Sequence, residues 1–257
     1  ANLIHDTNEG SVNSLVHVND DTYALSYERN GRSLGITTFT ISSDGATITE
    51  LDSLHNDAIN SNDRDLQSLV KVDSDTVARA YSGSGGDGYL RTYSIAENGD
   101  ITKKSTYEFD TTAGSDHFLV QVDSDTVALA YQSYEEDPGV ITARNGVIKT
   151  FTINSSDEIS EAGSLEHFSG DNAFDGYSKD NSLVKVDSDT FALAYEGGGG
   201  MGANNGFIST FTIDSDGTIT GLRTANQGNN LEHDTSLSTH RSLVKVDSNT
   251  VALAYSG

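Results

Sequence analysis

The 257-residue chain contains no cysteine and no tryptophan, and only one proline. Without cysteine no disulfide holds the fold together, and this absence assigns no compartment. Long apolar runs are missing too: none approaches the roughly 18–20 residues that a membrane span needs. No secretory leader is visible, and the chain opens on Ala1 rather than methionine, as a processed, exported protein would. An extracellular or cell-surface location is the expectation. Positive charge is scarce, with 15 Lys and Arg against 39 Asp and Glu, for a formal charge of −24. A field of that sign repels nucleic acid and anionic membrane, so both are set aside as partners. The acids are spread among apolar segments rather than gathered in a tail, which argues against disorder. Solubility accounts for such a surface; concentrating cations is the alternative.

What the chain has is repetition. The closing stretch SLVKVDSNTVALAYSG has four earlier relatives, which align at Leu15, Leu69, Leu119, Leu183 and Leu243. The spacings are 54, 50, 64 and 60 residues, the range of propeller blades rather than of helical solenoids. After each of the first four copies comes a second recurring phrase: GITTFTISSDGATIT, GYLRTYSIAENGDIT, GVIKTFTINSSDEIS and GFISTFTIDSDGTIT. The complete unit reads as four strands, which in the second copy run over 67–73 (A), 76–82 (B), 88–95 (C) and about 100–108 (D). Period two supports this: Val127, Leu129 and Tyr131 share one face, and Ala128 and Ala130 share the other. Asp and Ser in VDSD fit the A–B turn, and Gly in SSDG, AENG and DSDG fits the C–D bend.

A single four-stranded sheet cannot bury both faces, whereas a ring of sheets can. The fold expected is all-β, a five-bladed β-propeller of mostly four-stranded antiparallel blades, forming one domain over 1–257. The N-terminal NLIHD aligns with NLEHD at 230–234, after strand D of the fourth blade. The chain therefore enters late in one blade and leaves after strands A and B. The closing blade lacks a recognisable strand C, so it is incomplete or irregular. A short blade in a closed monomer is the favoured arrangement.

Ser68-Leu69-Val70, Ala80-Tyr81 and turns such as Ser42-Ser43-Asp44-Gly45 resemble the blades of sialidase and Asp-box propellers. The resemblance implies architecture at blade level. A sialidase would also need an arginine cluster for its substrate carboxylate. Arg29, Arg32, Arg64, Arg79, Arg91, Arg144, Arg223 and Arg241 stand at unlike blade positions.

The D–A and B–C connections share one propeller face, and the Gly-rich segments of unequal length lie there, marking it as the expected binding surface. His5 and Asp6, Phe109 and Asp110, and His233 and Asp234 recur near the end of strand D, with His55 and Asp57, and His167, as looser copies. Imidazole with carboxylate can orient sugar hydroxyls or ligate a metal; capping a strand end is the structural alternative. Tyr27, Tyr81, Tyr131, Tyr195 and Tyr255 end strand B in every copy and could stack on a sugar; inter-blade packing is their alternative. Paired Asp residues in the VDSD turns, and the acidic stretch DNAFDGYSKD at 171–180, bring calcium into consideration. His17, Lys71, Gln121, Lys185 and Lys245 occupy matched positions. They are expected to pair with the Asp turns or, alternatively, to line the axial channel.

Because these groups repeat with the blades, the first reading is a non-enzymatic, lectin-like protein with several carbohydrate or polar-ligand sites on one face. A propeller glycoside hydrolase and a structural surface protein are the competing classes.

Overall fold

A computed structural model describes residues 2–5, 10–29, 33–58, 67–83, 85–135, 143–168, 178–198, 204–221, 231–235 and 239–256. They contain nineteen strands and no helix. The first blade is β1 (Gly10–Asn19), β2 (Thr22–Arg29), β3 (Ser33–Ile41) and β4 (Ile48–Ala58), paired in that order. The second is β5 (Ser68–Lys71), β6 (Thr76–Ser82), β7 (Gly88–Ile95) and β8 (Ile101–Asp110). The third is β9 (Gly114–Gln121), β10 (Thr126–Glu135), β11 (Ala143–Ile153) and β12 (Ile159–Phe168). The fourth has β13 (Lys179–Lys185), β14 (Thr190–Gly198) and β15 (Asn204–Ile213), with its outer strand split into β16 (Ile219–Thr220) and β17 (Leu231–Asp234). Among the described residues the fifth holds β18 (Thr239–Lys245) and β19 (Val251–Ser256). The chain is thus a five-bladed propeller with an incomplete closing blade.

The core lies between blades. Ala78 and Ala80 of β6 form a flat, small face, and Val127, Leu129 and Tyr131 of β10 press into it from the next blade. Ala128 and Ala130 receive Phe191, Leu193 and Tyr195 in the same way. Ala192 and Ala194 receive Val251 and Leu253. Period two therefore does two jobs in one strand, presenting bulk backwards and a shallow surface forwards. Each large apolar side chain so covered contributes about 1.5–3 kcal/mol. Between blades one and two the rule is broken. Arg79 stands where the other complete blades have Leu, and its Nη1 donates to Ser26 Oγ at 3.4 Å. Ser26 also donates to Gln67 Oε1.

Hydrogen bonds fasten the inner strands across each interface. The amides of Leu69, Leu119 and Leu243 donate to Ser14, Ser68 and Ser182 Oγ at 3.0, 2.9 and 2.8 Å. This explains Ser before Leu-Val; in the third blade Phe118 takes that place. Lys71, Gln121 and Lys185 donate to the carbonyls of Val18, Val72 and Val122 on the preceding blade. The expected pairing with the Asp turns is corrected: these long side chains span the interface, and the turn carboxylates are already occupied. Asp73 Oδ1, for example, accepts the amides of Asp75 and Thr76 at 3.1 and 2.9 Å. Farther out, Thr38, Thr92 and Thr150 Oγ1 donate to the carbonyls of Gly99, Asp157 and Gly217 at 2.6, 2.7 and 2.6 Å. Those three acceptors are the left-handed residues of the next blade's C–D turn, with φ of 87°, 63° and 83°. That backbone explains the glycine at two of them.

The junction of blades five and one differs from the other four. Leu69, Leu119, Leu183 and Leu243 are buried under the preceding blade, but Leu15 is 57% exposed. Val244 and Val246 of the fifth blade are 57% and 61% exposed. Toward blade one the described contact runs through the N-terminal segment, where the Tyr27 hydroxyl donates to the His5 carbonyl at 3.2 Å.

Replacing Ala130 with Leu would drive a branched side chain into the face that receives Leu193 and Tyr195. A loss of about 1–3 kcal/mol is expected in urea unfolding. Ala130→Leu with wild-type stability would contradict the described fit between blades.

Candidate functional site

The repeated His and Tyr side chains are part of the blade contacts. On the outer strands, Phe109, His167 and His233 occupy bulges opposite Gly88, Gly146 and Gly206, where a Cβ on the glycine would run into the ring. The glycine that opens the second recurring phrase is therefore a seat for an aromatic ring. Each ring then packs on the B-strand tyrosine of the following blade. Centroids are 4.8 Å apart for Phe109 and Tyr131, and 4.6 Å for both His167–Tyr195 and His233–Tyr255. His5 packs on Tyr27 at 4.5 Å in the same manner. His55 differs: its Nε2 meets the Tyr27 hydroxyl of its own blade at 2.8 Å.

Tyr27, Tyr81, Tyr131 and Tyr195 are buried, and Tyr255 is exposed beside the incomplete blade. Burial pushes the Tyr195 hydroxyl up to about 12 and raises that of Tyr131. Burial alone pushes the His167 imidazole down to about 3. Asp110 is buried, accepting the Thr112 amide at 3.0 Å and Ser133 Oγ at 2.6 Å. Asp234 is half-buried, while Asp6 and the Asp57 side chain lie outside the described residues. At Phe109, His167 and His233 the open array of rings expected from the sequence is corrected, because these rings fill the space left by Gly88, Gly146 and Gly206.

The inner strands carry a different device at the same end of the propeller. In blades one, three, four and five a register shift coincides with a left-handed, non-glycine residue. These are Val12, Asp116, Asp180 and His240, with φ between 49° and 53°. Such bulges bend a strand end and re-aim its side chains. Their backbone is alike and their chemistry is not. On blades four and five the bulges bring several ionisable groups together. Asp180 Oδ2 accepts the His240 amide at 3.1 Å and lies 3.8 Å from Arg241 Nη1. Glu196 on β14 is buried beside them.

Burial raises the Glu196 carboxyl, and Asp180 adds to the rise, while Arg241 and Lys179 oppose it. Burial likewise draws Arg241 below its ordinary value, opposed by Glu196, Asp180 and Asp234. The arrangement couples a carboxyl that resists ionisation to a half-buried carboxylate facing a guanidinium. It combines a proton donor with a proton acceptor. Sequence reasoning did not single out Glu196, Asp180 or Arg241 for this role. A signal exists: one residue after the B-strand tyrosine stand Glu28, Ser82, Gln132, Glu196 and Ser256, a position that varies between otherwise repeated blades.

The opposite face has a cleft of about 680 Å³ between blades one and two, lined by Asp20, Asp21, Asp75 and Glu97 among others. Among the described residues no group of three or more His, Asp or Glu is arranged to hold a metal. Positions 171–177 of the acidic stretch considered for calcium lie outside the described residues.

No family model and no curated protein matches the sequence. Among solved structures, the chain is similar to an α-L-arabinanase from Penicillium chrysogenum complexed with arabinobiose, with a TM-score of 0.54 and 11% identity. The match covers 95% of this chain and 74% of that one. A GH43_1 enzyme from Xanthomonas citri complexed with xylotriose gives a TM-score of 0.49 at 12% identity, covering 97% and 82%. The first likeness supports the propeller fold. The expectation of a non-enzymatic, lectin-like protein is corrected. The solved chain of similar fold at a TM-score of 0.54 is an α-L-arabinanase, and Tyr27, Tyr81, Tyr131, Tyr195 and His167, which suggested repeated sites, are buried.

The buried ring of His167 makes a prediction about acid. The folded chain keeps it neutral down to about pH 3, whereas an unfolded chain protonates histidine below about pH 6.5. Stability from this site is therefore full above about pH 6.5 and lost progressively as pH falls toward 3. Phe is the natural substitute, since Phe109 fills the equivalent seat. Between pH 7 and 4.5, His167→Phe should lose roughly 2–3 kcal/mol less than wild type in urea unfolding. An identical acid loss in both proteins would contradict the neutral, buried imidazole.

Proposed function

We propose that the chain is a glycoside hydrolase of propeller fold, with Glu196 as general acid and Asp180 as general base. The observation carrying the reading is the raised, buried Glu196 beside the Asp180 carboxylate that faces Arg241. In this mechanism the protonated Glu196 gives its proton to the glycosidic oxygen as the bond to the sugar breaks. Asp180 takes a proton from the water whose oxygen bonds to the anomeric carbon. Proton transfer back to Glu196 restores the site. Such acid–base assistance is worth on the order of 10²–10⁴ in rate.

Arg241 holds Asp180 and offsets part of the charge that a second nearby carboxylate would add. A neutral glycoside suits the site better than a sialic acid. Arg79 lies between blades one and two and Arg241 between blades four and five, so these two do not converge on one substrate carboxylate. The arabinanase of similar fold makes arabinan the first substrate to try, with xylan second. A location outside the cell belongs to the same proposal.

Hydrolysis of arabinan and xylan oligosaccharides by the purified chain tests it. Glu196→Gln and Asp180→Asn should each lower kcat by about 10²–10⁴-fold with the circular dichroism spectrum unchanged. Because Glu196 must be protonated, the wild-type rate should fall as pH rises through its raised pKa. No turnover on either substrate, or unchanged rates in both variants, would overturn the assignment.

A further inference from the structure

We infer that Ser26 and Arg79 form an address that seats blade two on blade one and keeps near-identical blades in order as the chain folds. The inference rests on the blade contacts and is independent of the hydrolase reading, which gives neither residue a catalytic role.

Strand B carries both halves of the address. Its five copies read TYALSY (22–27), TVARAY (76–81), TVALAY (126–131), TFALAY (190–195) and TVALAY (250–255). Thr, Ala and Tyr recur at the first, third and sixth places, and the second holds Tyr, Val or Phe. At the fourth and fifth places Leu-Ala is broken twice, by Arg79 in the second copy and by Ser26 in the first. The two exceptions lie in different blades and at different places in the phrase. Yet they meet: Arg79 Nη1 donates to Ser26 Oγ at 3.4 Å.

Period two explains the meeting, since Ser26 faces forward from β2 with Ala24 and Arg79 faces back from β6 with Val77. Around them the interface is apolar, with Ala24 and Ile36 clustered against Leu69, Val77 and Tyr93. Ser26 and Arg79 are fully buried, and Gln67 is buried with them. The Ser26 hydroxyl works in both directions, donating to Gln67 Oε1 and accepting from Arg79. Gln67 Nε2 donates onward to the Val12 carbonyl at 2.8 Å, and Arg79 Nη1 also reaches the Gly35 carbonyl at 3.5 Å. The rings of Tyr81 and Tyr93 flank the guanidinium, with centroids 5.0 and 5.1 Å away. Blade two therefore brings two polar groups that Ser26 receives together.

The other complete blades do not offer this. On their forward faces the place of Ser26 is taken by Ala80, Ala130 and Ala194, each buried. Set against any of these, Arg79 would lose its hydroxyl acceptor inside a dry interface, which is costly for a buried charge. A blade wrongly seated on Ser26 would bring Leu129, Leu193 or Leu253 in place of Arg79. It would also bring His117, Asn181 or Arg241 in place of Gln67. The later interfaces meet through Leu and Ala at this position, so blades three, four and five are interchangeable there. Repeats so alike invite pairing out of order or between chains. A buried polar pair with one correct partner removes that freedom without adding to stability.

Refolding of the whole chain from urea tests this, in about 0.5 M NaCl so that the −24 charge does not itself suppress association. Arg79→Leu gives the second copy the phrase of the third. It should unfold at the urea concentration of wild type or higher. The fraction recovered at the wild-type mass should nevertheless fall at least twofold as chain concentration rises about tenfold, whereas wild type is recovered across that range. Ser26→Ala should lower the urea midpoint of the wild-type chain. In the Arg79→Leu chain the shift should be at least twofold smaller, because no guanidinium faces the lost hydroxyl. Equal recovery of wild type and Arg79→Leu would overturn the inference, as would equal effects of Ser26→Ala in both chains. So would a lower midpoint or failure to fold in Arg79→Leu, either of which would make Arg79 a stability element instead.

Discussion

The whole architecture depends on each blade offering a face shallow enough for its successor. Alanine at alternate positions of strand B provides it, and the Val, Leu and Tyr of the next blade fill it. Because strand side chains alternate with period two, both halves of the contact come from one short phrase, repeated around the axis. Apolar fit alone would allow the sheets to slide, since burial has no direction. The polar additions are directional. Ser oxygen receives the Leu amide, Lys or Gln reaches a Val carbonyl, and Thr meets a left-handed turn residue. The first two act along the inner strand and the third farther out, so together they set the height and angle of neighbouring blades.

Much of this could be read from the sequence because it is local or repeated. The strands of the second blade fall where Leu69, Tyr81 and the GYLRTYSI phrase place them, and the Asp turns bond their own backbone as their chemistry requires. What sequence could not show is reach across an interface. Lys71 and Lys185 look like partners for nearby carboxylates until their chains are seen to extend to the carbonyls of another blade. His167 and His233 suggested an open site because they recur beside variable loops. Yet the glycines facing them, forty or fewer residues away in sequence and adjacent in space, decide that the rings lie inward. The candidate acid–base group was obscured for the opposite reason. Arg241 departs from the repeat and Glu196 shares its residue type with Glu28 alone among the five matched positions, and repetition drew attention to positions that agree.

On the proposed reading, function is carried by those departures. Four inner strands share the same left-handed bulge, a backbone feature that costs more at β-branched Val12 than at Asp180. The scaffold therefore supplies equivalent re-aimed positions, and substitution makes one of them chemically distinct. At the junction of blades four and five, burial raises the Glu196 carboxyl while Arg241 lies against Asp180. On the proposed reading, five similar blades support a single reactive site, where the sequence alone had suggested several binding sites.

The most direct measurement is a crystal structure of the Glu196→Gln protein soaked with an arabino- or xylo-oligosaccharide, which would trap substrate without turnover. The account predicts one bound oligosaccharide, its glycosidic oxygen beside residue 196 and a water between the anomeric carbon and Asp180. Sugar at equivalent positions on several blades, or at one position remote from Asp180, would contradict it.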